Sequence, residues 1–172
     1  MHRMDFTGLL ENWLTDGDCP IWTSAVTIRR DVLLEAGLFP EDRCRRGGDK
    51  DTWLRVMRRT AALCDPRPHA IYRRDSVNMV TERGVTNFSH CIRPTVEGLM
   101  EGAPAGEVRR LKRLWNLEAY LYARRAAVRG HFSSAALEGF YADVDPLRYL
   151  ALRLFRLSLV RRGMTLARSL TG

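Results

Sequence analysis

Lysine is nearly absent from this chain: Lys50 and Lys112 are the only two, so almost all of the 28 basic residues are arginine. Genomic composition explains that bias as readily as a need for bidentate phosphate or carboxylate recognition. Cysteine is also scarce. Cys19, Cys44, Cys64 and Cys91 stand far apart, with no C-x-x-C pair and no histidine at zinc-finger spacing. This argues against a zinc site and leads to an expectation of free thiols in a reducing compartment. No apolar run approaches the ~20 residues of a membrane-spanning helix, and Met1 to Asp5 lacks the basic-then-apolar pattern of a secretory signal. The resulting expectation is a cytoplasmic chain, at most peripheral on the inner membrane face.

What is present is ordinary globular material. Hydrophobic residues make up 45% and charged residues 28%, which excludes a chain disordered throughout. At 172 residues the chain has about one domain's length. Such a domain buries roughly 70% of its unfolded surface without needing disulfides. The formal net charge of +8 favours anionic partners: nucleic acid, lipid headgroups or sugar phosphates.

Residue spacing divides the chain into a mixed part, 1–88, and a helical part, 89–172. Phe6, Leu9, Leu10, Trp13 and Leu14 have helical spacing, and Asp16-Gly17-Asp18 supplies a turn. Ile21 to Ile28 alternates apolar with small polar residues and is rich in β-branched ones, which predicts a partly buried strand. Asp31 is placed to cap a short helix over Val32 to Ala36 that Gly37 ends. A polar loop, Asp42 to Gly48, then leads into a helix reaching Cys64, stopped by Pro66 and Pro68, with a strand at His69 to Arg73. Further helices are expected at Pro94 to Met100, Glu107 to Val128, Phe132 to Tyr141 and Leu147 to Leu170. The last has no acidic residue and carries Arg148, Arg153, Arg156, Arg161, Arg162 and Arg168 among leucines. A basic amphipathic helix of this kind suits an anionic membrane surface, and equally a packing helix with a solvated arginine face.

Three segments stand out in order: PIWTSAVTIRRDVLLEAGLFPED from Pro20, GGDKDTWLRV from Gly47, and AIYRRDSVN from Ala70. Together they resemble the second half of a family 2 glycosyltransferase of the GT-A fold. In that family a strand–helix–Gly-x-Phe segment precedes a GEDxDLWLR motif and a YR.H strand. The resemblance covers about sixty residues. It implies a partial GT-A-like α/β part with few strands, followed by an all-α extension, mostly helical overall.

The resemblance assigns roles residue by residue. Asp49 matches the catalytic Asp, which deprotonates the acceptor hydroxyl as that oxygen attacks the anomeric carbon. A general base contributes about 10² to 10⁴ in rate to such a step. Asp51, Trp53 and Arg55 are the acceptor-binding candidates and Arg73 the donor-binding one. Each has a structural alternative: Asp49 an N-cap, Asp51 a helix-end charge, Trp53 a core ring, Arg55 and Arg73 fold-supporting ion pairs.

The chain departs from the family pattern at Gly48, where the motif has Glu, and at Asp75, where the strand has His. The resemblance further implies a donor half, with β-α-β units and a D-x-D that holds Mg or Mn against a nucleotide-sugar diphosphate. Asp16-Gly17-Asp18 has those letters but reads as a turn, so no cofactor is assigned to this chain itself. The expectation is therefore a truncated or split enzyme, inactive alone. A donor-binding partner chain or missing N-terminal half would complete it, and a carbohydrate or lipid-linked acceptor would be its substrate. Two competing readings are a non-catalytic accessory module and a basic helical nucleic-acid-binding protein. Against the latter, the arginines spread along the whole chain and no tight helix-turn-helix spacing occurs.

Overall fold

The computed structural model describes residues 1–41, 47–71, 90–128, 132 and 137–157. These fall into two compact units, one running to Leu114 and the other beginning at Trp115. The boundary expected at 88/89 lies outside the described residues. The grouping places the helix at Ile92–Met100 and the start of the longest helix with the first unit.

In the first unit, helix α1 spans Phe6–Asp16. The Asp5 carboxylate accepts from the Gly8 N–H at 2.9 Å, and Gly17 closes the helix in the left-handed region at φ 76°. Both are the caps that such residues favour. The helix buries Phe6, Leu9, Leu10 and Trp13, as its spacing predicts. Helix α2, Arg30–Glu35, follows and ends in a Schellman turn. Gly37 N–H reaches Leu34 O and Leu38 N–H reaches Leu33 O, both at 3.0 Å. Helix α3, Gly48–Arg59, packs against α1, α2 and α4, the last spanning Ile92–Met100.

Three expectations are corrected here. Ile21 to Ile28 is not a strand: Thr23–Ala25 forms a single 3₁₀ turn, and no other regular structure occurs in the stretch. Alternation suits a strand only where a neighbouring strand supplies hydrogen bonds, and here the residues from Trp22 to Thr27 are exposed. Helix α3 ends at Arg59 rather than Cys64, because Thr60 turns extended and Ala62–Cys64 becomes a strand. That strand, β2, pairs antiparallel with β1, His2–Met4, in the register His2↔Cys64, Arg3↔Leu63 and Met4↔Ala62. Finally, Cys91 is disulfide-bonded, so four free thiols are not present, while Cys19 and Cys64 are free.

Of the strand expected at His69 to Arg73, residues 69–71 are irregular and the rest lies outside the described residues.

The second unit is built on the longest helix, α5, Ala105–Val128. From Trp115 onward it buries Trp115, Leu117, Ala119 and Ala123. Asn116, wholly buried, clamps the following turn: its amide donates to Tyr141 O at 2.7 Å and its oxygen accepts from Tyr141 N–H at 2.9 Å. Trp115 Nε1–H donates to Gly139 O at 2.9 Å. The helix expected at Phe132 to Tyr141 is a turn at 137–139, with 133–136 outside the described residues. Residues 146–157 form a further helix, α6, whose Arg148 lies over the Tyr120 ring at 5.7 Å. Among the described residues the protein is mostly helical, and no helix is long and apolar enough to cross a membrane.

Candidate functional site

The GGDKDTWLR segment opens α3, and the two glycines are explained by their neighbours. Gly47 takes φ 77°, and a Cβ there would lie 2.4 Å from the His90 ring, so no other residue fits without displacing His90. A Cβ on Gly48 would lie 3.2 Å from Pro40 Cγ. The position where the family motif carries Glu is thus packed against a proline.

Asp49 stands in the first turn of α3, where the helix dipole favours a negative charge. Its carboxylate is exposed, accepts from Thr23 Oγ1 at 3.0 Å, and also accepts from the Lys50 N–H at 2.8 Å. Lys50 extends the other way: its ammonium pairs with Asp18 at 2.6 Å and lies 5.4 Å from the Trp13 ring centroid. Cys19, between these charges and the core, is buried, and desolvation pushes its thiol up to about 12. It stays a protonated, unreactive thiol at neutral pH.

Asp51 occupies a different environment two residues on. It is 2% exposed. One carboxylate oxygen accepts from Thr95 Oγ1 on α4, and the other takes Arg55 Nε at 3.0 Å and Nη2 at 2.7 Å. The same guanidinium donates to Ala36 O and, at 2.7 Å, to Leu38 O. Arg55 therefore caps the carbonyl end of α2, placing a cation where the dipole is negative. It also fixes Leu38, the one non-glycine residue among those described with a left-handed φ, 58°. Through this pair α2, α3 and α4 are tied together. Trp53 is 2% exposed and meets Phe39 edge to face at 5.7 Å, so its ring faces are turned into the protein.

The expected site residues are thus not gathered at one mouth. Asp49 faces solvent, whereas Asp51 and Trp53 are buried and Arg55 is partly buried; Arg73 and Asp75 lie outside the described residues. A cleft of 510 Å³ opens beside the C-terminal half of α3, lined by Glu35, Ala36, Arg55, Arg58, Arg59 and Leu99, without Asp49. The described residues do not fit a divalent cation at Asp16-Gly17-Asp18. Gly17 caps α1, and the Asp18 oxygen that pairs with Lys50 also accepts from the Cys19 N–H at 2.8 Å. No cluster of three metal-ligating side chains occurs among the described residues.

Sequence reasoning did not find Thr23 and Thr95, the hydroxyl partners of the two aspartates. Nothing in their local pattern links them to positions 26 and 44 residues distant. Gly47 against His90 is likewise a contact between separate segments. No protein-family model, curated protein or solved structure matches this chain.

Proposed function

We propose that the chain is the acceptor-side part of a glycosyltransferase of the family 2 type, with a GT-A-like relationship in its first unit and Asp49 as the general base. The observation supporting this most directly is the exposed Asp49 carboxylate, held in the first turn of α3 by Thr23, in a segment whose other characteristic residues brace that turn. In the reaction, Asp49 accepts the proton of an acceptor hydroxyl while that oxygen attacks the anomeric carbon of a nucleotide sugar. Asp51 and Arg55 then act as positioning residues that hold α3, rather than as direct sugar contacts. The departing diphosphate needs its charge neutralised. This reading assigns that task, with Mg or Mn, to a donor-binding half that is not among the described residues.

The test is saturation-transfer NMR of the full chain against a panel of neutral mono- and oligosaccharides, followed by radiolabelled sugar transfer with a donor-binding half supplied. The reading expects sugar saturation that Asp49→Asn alters, and transfer that Asp49→Asn abolishes. Sugar binding indifferent to position 49, or none at all, overturns it. A second reading is favoured by the Thr23–Asp49 bond alone. In an accessory module without catalysis, Asp49 serves only to fasten the 21–28 segment to α3. Asp49→Asn then lowers thermal stability and changes nothing else.

A further inference from the structure

The helix at 146–157 presents an apolar stripe to solvent. Leu147, Leu150, Leu154 and Leu157 are 79%, 55%, 55% and 58% exposed. Spaced three, four and three apart, they fall within an arc of about 80° on a helix turning about 100° per residue. Leu152, on the opposite side, is wholly buried and packs the helix onto its own unit. Arg153 borders the stripe and Arg156 lies beyond it, both exposed, and no acidic residue occurs from Leu147 to the end of the chain. An exposed run of four leucines on one helix face is costly in water and marks an interaction surface.

Charge decides between two occupants. A second copy of this helix would fit the leucine spacing, which is that of a coiled-coil seam. It would, however, bring Arg153 of each copy to the flank with no carboxylate on either helix to pair with it. An anionic bilayer offers acyl chains to the leucines and negative headgroups to Arg153 at their border. We propose that α6 is a membrane-surface anchor that lays Leu147, Leu150, Leu154 and Leu157 into the headgroup boundary of a bilayer rich in anionic phospholipid. This proposal does not rest on any sugar chemistry at Asp49.

The experiment is co-sedimentation of the full chain with phosphatidylcholine vesicles and with vesicles that also contain phosphatidylglycerol. Binding is expected to the anionic vesicles and to weaken with salt. Leu150→Ser/Leu154→Ser should lower the partition coefficient by at least about tenfold. Arg153→Gln/Arg156→Gln should lower it by at least about fivefold on anionic vesicles, chiefly through Arg153, and leave the residual binding to neutral ones unchanged. All four side chains are exposed, so both variants should keep the wild-type far-UV spectrum, and the arginine pair serves should the serine pair fail to fold. Equal binding to both lipid compositions, no binding at low salt, or wild-type binding by the variants overturns the proposal. So does a concentration-dependent dimer that the leucine variant abolishes, which would give the stripe to a second copy.

Discussion

Replacing Arg55 by Met tests whether Asp51 and Arg55 are the structural tie between α2, α3 and α4. The substitution keeps much of the aliphatic stem but removes both bonds to Asp51, the one to Thr52 Oγ1 and those to the carbonyls of Ala36 and Leu38 just after α2. Asp51 then stays as a buried carboxylate, 2% exposed, with Thr95 its remaining side-chain partner among the described residues. Breaking a buried ion pair from one side costs about 3–5 kcal/mol. The Arg55 side chain is itself 19% exposed, so water reaches the vacated position and the lower end, about 3 kcal/mol, applies. For a chain of this length that is a fall of about 6–12 °C in the melting transition that includes α3.

Arg55→Lys keeps the charge without the planar fork and should lose about half as much. Urea unfolding of wild type, Asp51→Asn, Arg55→Met and the double variant gives the coupling energy. A value near 2 kcal/mol is expected, and losses that add to within about 0.5 kcal/mol would refute the pairing. The same variants separate this role from direct acceptor contact, for which sugar binding would be lost with stability intact.

Gly47→Ala should cost about 2–4 kcal/mol in thermal unfolding, combining left-handed strain with displacement of His90, while Gly48→Ala should cost under about 1 kcal/mol. Asn116→Leu should destabilise the second unit by about 1–2 kcal/mol, because it removes the bonds Asn116 makes to the N–H and the carbonyl of Tyr141 and leaves the carbonyl its longer bond from Val144 N–H at 3.3 Å. For Cys19 the sign is that of a group whose folded pKa is raised. Its stabilising contribution is intact below the ordinary thiol value of 9.0 and declines as pH rises towards about 12. The slope is at most about 1.4 kcal/mol per pH unit. The difference between wild-type and Cys19→Ala stability profiles over that interval isolates it, and parallel profiles would refute it. In thiol labelling near neutral pH, half-exposed Cys64 should react first, Cys19 far more slowly, and Cys91 only after reduction.

Where local chemistry decides the structure, the sequence was readable. Asp5 and Gly17 bracket α1, apolar spacing marks the buried residues of α1, and Gly102 to Pro104 separate α4 from α5. Where the outcome depends on what lies opposite, it was not. The alternation at Ile21 to Ile28 meets no partner strand, whereas His2–Met4 and Ala62–Cys64, too short to show any period, do find one. The candidate site divides the same way. The acidic first turn of α3 is visible in GGDKD, but the different surroundings of Asp49 and Asp51 come from Thr23 and Thr95, contributed by separate segments. That Arg55 pairs with Asp51 rather than Asp49 follows from the i,i+4 spacing together with the Ala36 and Leu38 carbonyls that aim its guanidinium.

The seating of Gly47 on the imidazole of His90 makes any larger residue at 47 conditional on a change at 90. A descendant lineage bearing any larger residue at 47 would have to trim the side chain at 90 and re-aim the entry into α3. A survey of natural variants should therefore find a larger residue at 47 together with one smaller than histidine at 90, while glycine at 47 accompanies histidine or other residues at 90.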